Sequence, residues 1–544
     1  MEENKVINTE NVEVLDKNDF EFIQADQKLH DQKFETKPVS FLKDSIRRFA
    51  KNKASIVGGC IILLIILFSI FGPLTVQSSD SFAKDFPNGY DATFKNCLPK
   101  AFEAGTGFWD GCEWQDVPES NYYYYKYTDA NTPKIVEEEA EPIIKVDDET
   151  QQEQKFYRCY VDTYAVGVKV INKLTFEDYQ AIVNYDLEKN GTYTMVKPYF
   201  EYDNWVAEYE QQLTDEGISS FQIMQIIANI NSKYQSNDSI YYKLVATKKN
   251  GRYTNQVVPL LDSVTNEPIA LYETDPNTGD YVYGVNINGR YTVRVDYLEY
   301  FEYKYGYIPK FYFGSNNLGQ DLYLRTANGA AFSLLLGLGV TIINFLIGLV
   351  WGAIAGYYGG KVDLAMERVT DILSAIPSIV IMTLVSLNLK NNPALGNIAP
   401  VVALLIGFVA TGWIGTSSTT RMQFYRYKGQ EYVLASRTLG AKDRRLIFRH
   451  ILPNAAGTLV TSTVLMIPSV IFSESTLTYL GIINLSLTST TSLGTLLSEG
   501  QNVITSEPYL IVFPAIVISL LMISFNLFGN GLRDAFNTTL RGED

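Results

Sequence analysis

Glu474 is the residue of this chain whose type and setting most suggest chemistry. It is a carboxylate in otherwise apolar sequence. An ionisable group in such a stretch marks a translocation pathway or a gate. Ser475, Thr476 and Thr478 follow it, so a structural role at a helix end is equally open. Pro377, with Ser378 after it, can break a helix and line a cavity, or simply kink it. Asp321 and Arg325 stand four residues apart and can pair at the entrance to a helix.

Other kinds of chemistry are poorly supplied. The only histidines are His30 and His450, both in segments read below as cytoplasmic. The large polar segment therefore has no Ser-His-Asp or Cys-His arrangement and no histidine-based metal site. Carboxylates for a paired-acid hydrolase are abundant, but no motif organises them. Phosphate binding by G-x-x-x-x-G-K-[ST] is not available either. The nearest run, Ala355–Val362, lacks the first Gly and the final Ser/Thr. We expect no catalytic residue, no metal site and no directly bound cofactor. Cys97 and Cys112 lie close together in sequence outside the apolar stretches, where a disulfide is allowed. Spacing alone does not fix that pair.

The elements that position these residues are apolar. Charge-free stretches run Ala54–Ser79, Ala327–Gly360, Ile372–Leu389, Asn391–Thr420, Ile451–Ser473 and Pro508–Leu532. Each approaches the roughly 18–25 residues that a bilayer-spanning helix needs. Six spans are expected, and a soluble protein is excluded. The first is retained rather than cleaved, because Gly72-Pro73-Leu74 is not a small-residue cleavage site. Lys43, Arg47, Arg48, Lys51 and Lys53 before the first span place the N-terminus inside. The loops Lys361–Asp371 and Arg421–His450 then fall inside, the latter strongly basic, while Glu474–Glu507 has no Lys or Arg. Both termini are expected in the cytoplasm.

Residues 1–38 read as a disordered tail. Residues 39–75 read as a short interfacial helix, Phe41–Phe49, leading into the first span. Residues 76–312 form an extracellular domain, large enough at about 235 residues to bury a core. It carries about sixteen excess acidic charges, and so nearly all of the net charge of −15. That balance argues against a nucleic-acid partner. Strand-like runs Tyr157–Val170, Tyr241–Ala246 and Tyr291–Tyr297, with hairpin signals at Asn190-Gly191, Asn250-Gly251 and Asn288-Gly289, predict an α+β domain rich in β. Helical spacing covers Asn204–Tyr234. Tyr122–Tyr125 reads as a hydrophobic strand, with a stacking surface as the alternative. Glu137–Gln154 reads as an exposed loop. The sequons at Asn190 and Asn237 bear on the fold only in a glycosylating host.

With no phosphate loop, a transporter would have to borrow its energy through a cytoplasmic surface. The loop 421–453 suits that. Gln430–Leu439 has helix-forming composition, and Gly440 can supply a positive-φ stop. Asp443 can cap a second helix, and Pro453 marks the entry to the fifth span. Ala435 and Ser436 would let the short helix sit close in a partner's groove; a surface helix without a partner is the alternative.

Glu431–Pro453, EYVLASRTLGAKDRRLIFRHILP, resembles the cytoplasmic loop of the oligopeptide/dipeptide C-type permeases of ABC importers. The family pattern is Glu-Ala-Ala, three residues, Gly, nine residues, Ile, one residue, Leu-Pro. On Gly440 and Leu452-Pro453 it aligns with Leu434, Ala435, Ser436 and His450, so the Glu and Ile positions are replaced. Glu431 stands one turn earlier. Phe313–Arg325, Met366–Pro377, Ile471–Gly481 and Asn526–Asp534 resemble further family motifs in the same order. The resemblance covers Val39–Leu74 and Lys310–Asp534.

The resemblance implies an α-helical polytopic membrane protein of the ABC type I importer permease kind, with the extracellular domain as an unusually long insert and residues 313–544 as the permease core. It implies a bacterial cell-membrane location and oligopeptide or dipeptide cargo. The implied partners are a second permease subunit, two ATP-binding subunits that hold ATP and Mg, and a lipid-anchored or periplasmic binding protein. ATPase contact is expected at Glu431, Tyr432, Ala435, Ser436, Leu439 and Gly440. The insert is expected to dock or gate for the binding protein. A permease for nickel or another small solute, and a membrane-anchored receptor or scaffold, are the alternative readings.

Overall fold

The computed structural model describes residues 41–119, 153–190, 291–389, 395–483 and 491–536 without interruption, and shorter pieces between 121 and 285. The expected tail 1–38, both sequon turns, Trp205 and Tyr209 lie outside the described residues, Asn190 itself excepted.

The chain enters as expected. Helix α1 (Phe41–Lys51) is amphipathic and leads into α2 (Lys53–Thr75). The Asn52 side chain caps α2 by accepting from the Ser55 N–H at 3.3 Å. α2 packs on the last helix of the chain, where the Ser55 hydroxyl donates to the Leu527 carbonyl at 3.2 Å.

The polar insert follows. Helix α3 (Asp80–Asp85) precedes β1 (Cys112–Pro118), β2 (Ile135–Glu138), β3 (Ile143–Val146) and β4 (Glu153–Asp162). β4 is central: β1, β2 and β3 all pair with it antiparallel. Then come β5 (Val168–Leu174), α4 (Phe176–Asn190), β6 (Tyr242–Lys249), β7 (Arg252–Pro259), β8 (Glu273–Thr274), β9 (Tyr281–Val285), β10 (Tyr291–Asp296) and α5 (Tyr297–Tyr305). A second sheet has the order β5-β10-β9-β8, and β6-β7 is a separate hairpin. Phe94, Tyr164, Ile182, Met195, Val293, Val295 and Phe301 form the core beneath the second sheet. The architecture is α+β with much β, as the patterning predicts.

Several local expectations are corrected. Asn190-Gly191 is no hairpin turn, because Asn190 closes α4. Asn250-Gly251 does join paired strands, with Lys249 opposite Arg252. Tyr157–Val170 is two strands, broken at Thr163–Tyr164 where the Asp162 carboxylate accepts from the Tyr164 N–H at 2.8 Å. The described residues of Tyr122–Tyr125 are helical, with Tyr122 stacked on Tyr157 at 4.0 Å. Glu137–Gln154 supplies β3 and the edges of β2 and β4 rather than one loop. Within Asn204–Tyr234, the described residues 210–211, 213–215, 220–224 and 227–228 are helical, as the spacing predicts. Cys97 and Cys112 are separate thiols. The Cys97 Sγ faces the Thr163 carbonyl at 3.5 Å and the Cys112 Sγ faces the Asp110 carbonyl at 3.7 Å, so the disulfide that the sequence allows is not formed. Burial pushes both thiols up to about 12.

The core comprises α6 (Leu322–Tyr358), α7 (Gly360–Ser374), α8 (Ser378–Leu389), α9 (Ala399–Lys428), α10 (Glu431–Thr438), α11 (Leu452–Tyr479), α12 (Leu493–Gln501) and α13 (Tyr509–Phe536). A π-helical turn, Leu446–Ile451, feeds α11. Among the described residues, five apolar helices are long enough to cross a membrane: α2, α6, α9, the continuous run Asp443–Tyr479, and α13. The remaining expected span, Ile372–Leu389 and third in chain order, is not one straight helix. α7 and α8 meet at 68° around Pro377. The residue before a proline is driven out of helical conformation, so α7 ends at Ser374. α8, with 12 residues, extends only about 18 Å at the helical rise.

Two segments expected as loops are helical. Lys361–Asp371 lies inside α7, and Arg421–Lys428 is the last part of α9. α6 and α9 pack closely along Gly348, Gly352 and Gly356; a Cβ on Gly352 would stand 2.3 Å from the Ser417 carbonyl oxygen. Small residues at such a seam let two backbones approach inside a bilayer.

Candidate functional site

The basic segment 421–453 is built from the end of α9 outward. α9 stops at Lys428, and Gly429-Gln430 turns the chain into α10. α10 ends in a Schellman arrangement: the Gly440 N–H donates to the Arg437 carbonyl at 2.9 Å and the Ala441 N–H to the Ser436 carbonyl at 3.1 Å. Gly440 has φ +84°, as a left-handed stop requires.

Underneath, Val433 is fully buried with Phe424, Leu446 and Ile451, against Tyr357 at the end of α6. Arg437 donates to the Tyr357 hydroxyl at 3.3 Å, and that hydroxyl donates to the Asp443 carboxylate at 2.5 Å. Asp443 is therefore the first residue of its turn and a partner of α6, not the side-chain cap that the sequence predicts. The outer face of α10 carries the expected contact residues. Tyr432 is 41% exposed, Leu434 45% and Leu439 88%; Glu431, Ala435 and Gly440 are also exposed, and Ser436 is half-buried. Two exposed leucines and a tyrosine on a helix pinned from behind form an apolar contact surface.

Directly above lies a charged cluster that motif reading missed. Arg421 on α9 donates to Asp363 on α7 through Nε at 2.5 Å and a terminal nitrogen at 2.8 Å. It also donates to Glu367 twice, at 3.0 Å each. Tyr425 donates to Asp363 at 2.6 Å, and the Lys428 ammonium to the Gly356 carbonyl at 2.9 Å. The guanidinium fork suits two carboxylates held side by side. The cluster fastens α7 and the α6–α7 turn to the end of α9. The signal in the sequence was the pair Asp363 and Glu367, acids four residues apart in a segment read as lying on the same side as the basic segment Arg421–His450.

The gate candidates are not brought together. Pro377 and Ser378 are exposed at the break between α7 and α8. Glu474 is completely enclosed. Its carboxylate accepts from Ser333 of α6 at 3.0 Å, from Ser475 at 3.3 Å and from Thr478 at 3.2 Å. Helix α12 packs on the same place, capped by Ser492, with Gly494 against Thr478. Asp321 and Arg325 do not pair. Asp321 caps α6 by accepting from the Tyr323 N–H at 2.8 Å, and Arg325 forms a two-point contact with Glu499 of α12. Burial pushes the Asp321 carboxyl up to about 7.

The insert is stitched onto the same end of the bundle. Cys97 and Ser315 exchange two hydrogen bonds, from the Cys97 N–H to the Ser315 hydroxyl at 2.9 Å and from the Ser315 N–H to the Cys97 carbonyl at 2.8 Å. Tyr509 of α13 donates to the Ser315 carbonyl at 2.8 Å, and the Trp109 ring of the insert stacks on Phe513 of α13 at 5.9 Å.

Comparison with known proteins agrees with this layout. Residues 348–542 match the family model described as binding-protein-dependent transport system inner membrane component. Residues 40–93 match the N-terminal transmembrane domain of oligopeptide transport permease C. The oligopeptide transport system permease protein OppC of Bacillus subtilis is 40% identical over 231 residues, which cover 42% of this chain and 72% of the relative. The dipeptide transport system permease protein DppC of the same organism is 38% identical, covering 42% of this chain and 69% of the relative. OppC of Mycobacterium bovis is 36% identical, covering 43% and 77%.

Proposed function

Because this chain belongs to the family of binding-protein-dependent transport inner-membrane components, we propose that it is the C-type permease subunit of an importer for oligopeptides or dipeptides. The relatives are named for those cargoes. The observation that carries the mechanism is the α10 surface: Tyr432, Leu434 and Leu439 stand exposed on a helix that Val433 and Arg437 hold rigidly against α6. A partner ATPase seated there would move α6 and α9 together rather than bend a loose loop. Such a rigid element, with two positions selected by a partner, is the physical content of coupling.

In this reading, α7 and α8 form the third span as a bent pair, making six in all, and residues 76–312 lie outside the cell with both termini inside. The exposed break at Pro377 and Ser378 faces a second permease subunit and the pathway between the two. Glu474 holds α6, α11 and α12 in register beside that pathway. ATP and Mg belong to two ATP-binding partners. The insert receives a substrate-binding protein over the mouth.

Gentle solubilisation and purification of this chain tests the assembly: two ATPase chains and a second permease should travel with it. A complex without any ATPase would overturn the reading. Cargo is tested by growth on a peptide as the sole source of a required amino acid, with and without this chain. Equal growth would remove peptide import from the proposal.

A further inference from the structure

An unbroken series of aromatic rings runs from the spanning helices into the insert. Phe68 of α2 meets Tyr323 of α6 at 5.2 Å, and Tyr323 meets Phe313 at 5.1 Å. Phe313 stacks on Phe513 of α13 at 4.1 Å, and Phe513 on Trp109 of the insert at 5.9 Å. Trp109 meets Phe108 at 5.9 Å, and Phe108 meets Phe102 at 6.4 Å. The series starts among packed rings and ends in the open: Phe108 is 68% exposed and Phe102 55%.

The height of this loop is set by its contacts. Trp109 sits against the first turns of α13, which lie at the same level as the end of α2 and the start of α6. There the outward side chains Phe71, Leu74 and Val512 are exposed and apolar, as side chains facing hydrocarbon must be. Aromatic side chains gather at this level of a bilayer because their rings favour the headgroup–acyl boundary. The exposed rings of the loop continue that belt.

The loop is also rigid in advance. Asp110 is 2% exposed, and its carboxylate accepts from the N–H groups of Gly105 at 3.2 Å, Gly107 at 2.9 Å and Cys112 at 3.1 Å. Tyr160 donates to the same carboxylate at 2.9 Å. Two large rings are thus held outward without ordering cost on contact. Glu103 is the one charge between them and limits the depth to the headgroup region.

We propose that Phe102–Trp109 is a membrane foot: Phe102 and Phe108 enter the lipid interface on the insert's side and fix the insert against the bilayer. The occupant is lipid, because the patch is continuous with the lipid-facing ends of α2 and α13. The inference rests on the membrane placement of the helices and is independent of the cargo.

A spin label reads the environment directly. The full chain, with the subunits that purify with it, is placed in nanodiscs of phosphatidylcholine and phosphatidylglycerol. Phe108→Cys is labelled in a background of Cys60→Ser and Cys112→Ser; Cys97 and Cys159 are fully buried. The ratio of collisions with oxygen to those with a water-soluble nickel chelate is compared with that at Glu177→Cys, an exposed site on α4. An interfacial ring predicts a ratio at least about threefold higher at 108 than at 177. Equal ratios would mean water around the loop and would overturn the proposal. Shielding from both reagents would mean a covering protein and would overturn it equally. A second reading leaves the tip unchanged: brominated acyl chains should quench the emission lost in Trp109→Phe, and absence of that quenching counts against the foot.

Discussion

Ser333 of α6 donates its hydroxyl hydrogen to the Glu474 carboxylate of α11 at 3.0 Å, and both side chains are completely enclosed. Thr478 has other acceptors, the Glu474 and Ser475 carbonyls, so the Ser333 and Ser475 hydroxyls depend most on the carboxylate. Glu474→Gln keeps an acceptor and should leave thermal stability and uptake nearly unchanged. Glu474→Leu leaves Ser333 unsatisfied, at a cost of about 1–3 kcal/mol. Thermal unfolding of the purified complex checks the pair. Gln behaving like Leu would show that the charge, not the acceptor, matters.

Arg421 presents a sharper case, because three acidic or phenolic groups converge on it or on its partner Asp363. Arg421→Ala strands Asp363, which is nearly buried, and should destabilise by about 3–5 kcal/mol, as for other broken buried pairs. Arg421→Lys keeps the charge but loses the fork and should fall between the two. The informative measurement is cargo-stimulated ATP hydrolysis by the assembled complex alongside its melting temperature. Loss of stimulation in the lysine variant at near-normal stability would mark the cluster as a coupling element.

The two faces of α10 should respond oppositely. Leu439→Asp alters a side chain that is 88% exposed; it should leave the fold intact and abolish copurification of the ATPase. Val433→Asp puts a charge into a closed apolar site and should disrupt the segment itself by several kcal/mol, on the order of 3 or more. Limited proteolysis separates the cases: only the second should speed tryptic cleavage after Arg437 and Lys442, which are exposed already but held in helix and turn.

Acid should loosen the proposed foot. Burial alone would raise the Asp110 carboxyl, but the N–H groups of Gly107 and Cys112 and the Tyr160 hydroxyl together hold it below the usual carboxylate range. A carboxyl depressed in the folded state contributes stability above its unfolded value, about 3.9, and that contribution is lost as pH falls through the lower folded value. A label at position 108 should therefore be immobile at pH 7 and gain mobility only in strong acid. Asp110→Asn should show the mobile spectrum at pH 7. An immobile label in that variant would remove Asp110 from its organising role.

The sequence by itself determined where the apolar helices fall, which connecting segments are basic, and the positive-φ stop at Gly440. These follow from local composition: a charge-free run of spanning length has few other stable states, and one residue suffices to end a helix. The ordered motifs were also legible. Local patterning went wrong where a tertiary partner outweighed it. Tyr122 reads as a strand residue but packs in a helix on Tyr157. Arg325 has Asp321 one turn away, yet it pairs with Glu499, 174 positions distant.

Only the tertiary structure decided that Asp363, Glu367 and Arg421 form one cluster, that Glu474 is enclosed rather than open, and that the insert is fastened to the helices through Ser315 and Trp109. Each depends on pairs of residues far apart in the chain, and sequence spacing carries no information about those distances. The broken span at Pro377 lies between the two: the proline announces a break, but its 68° angle is visible only in the folded chain.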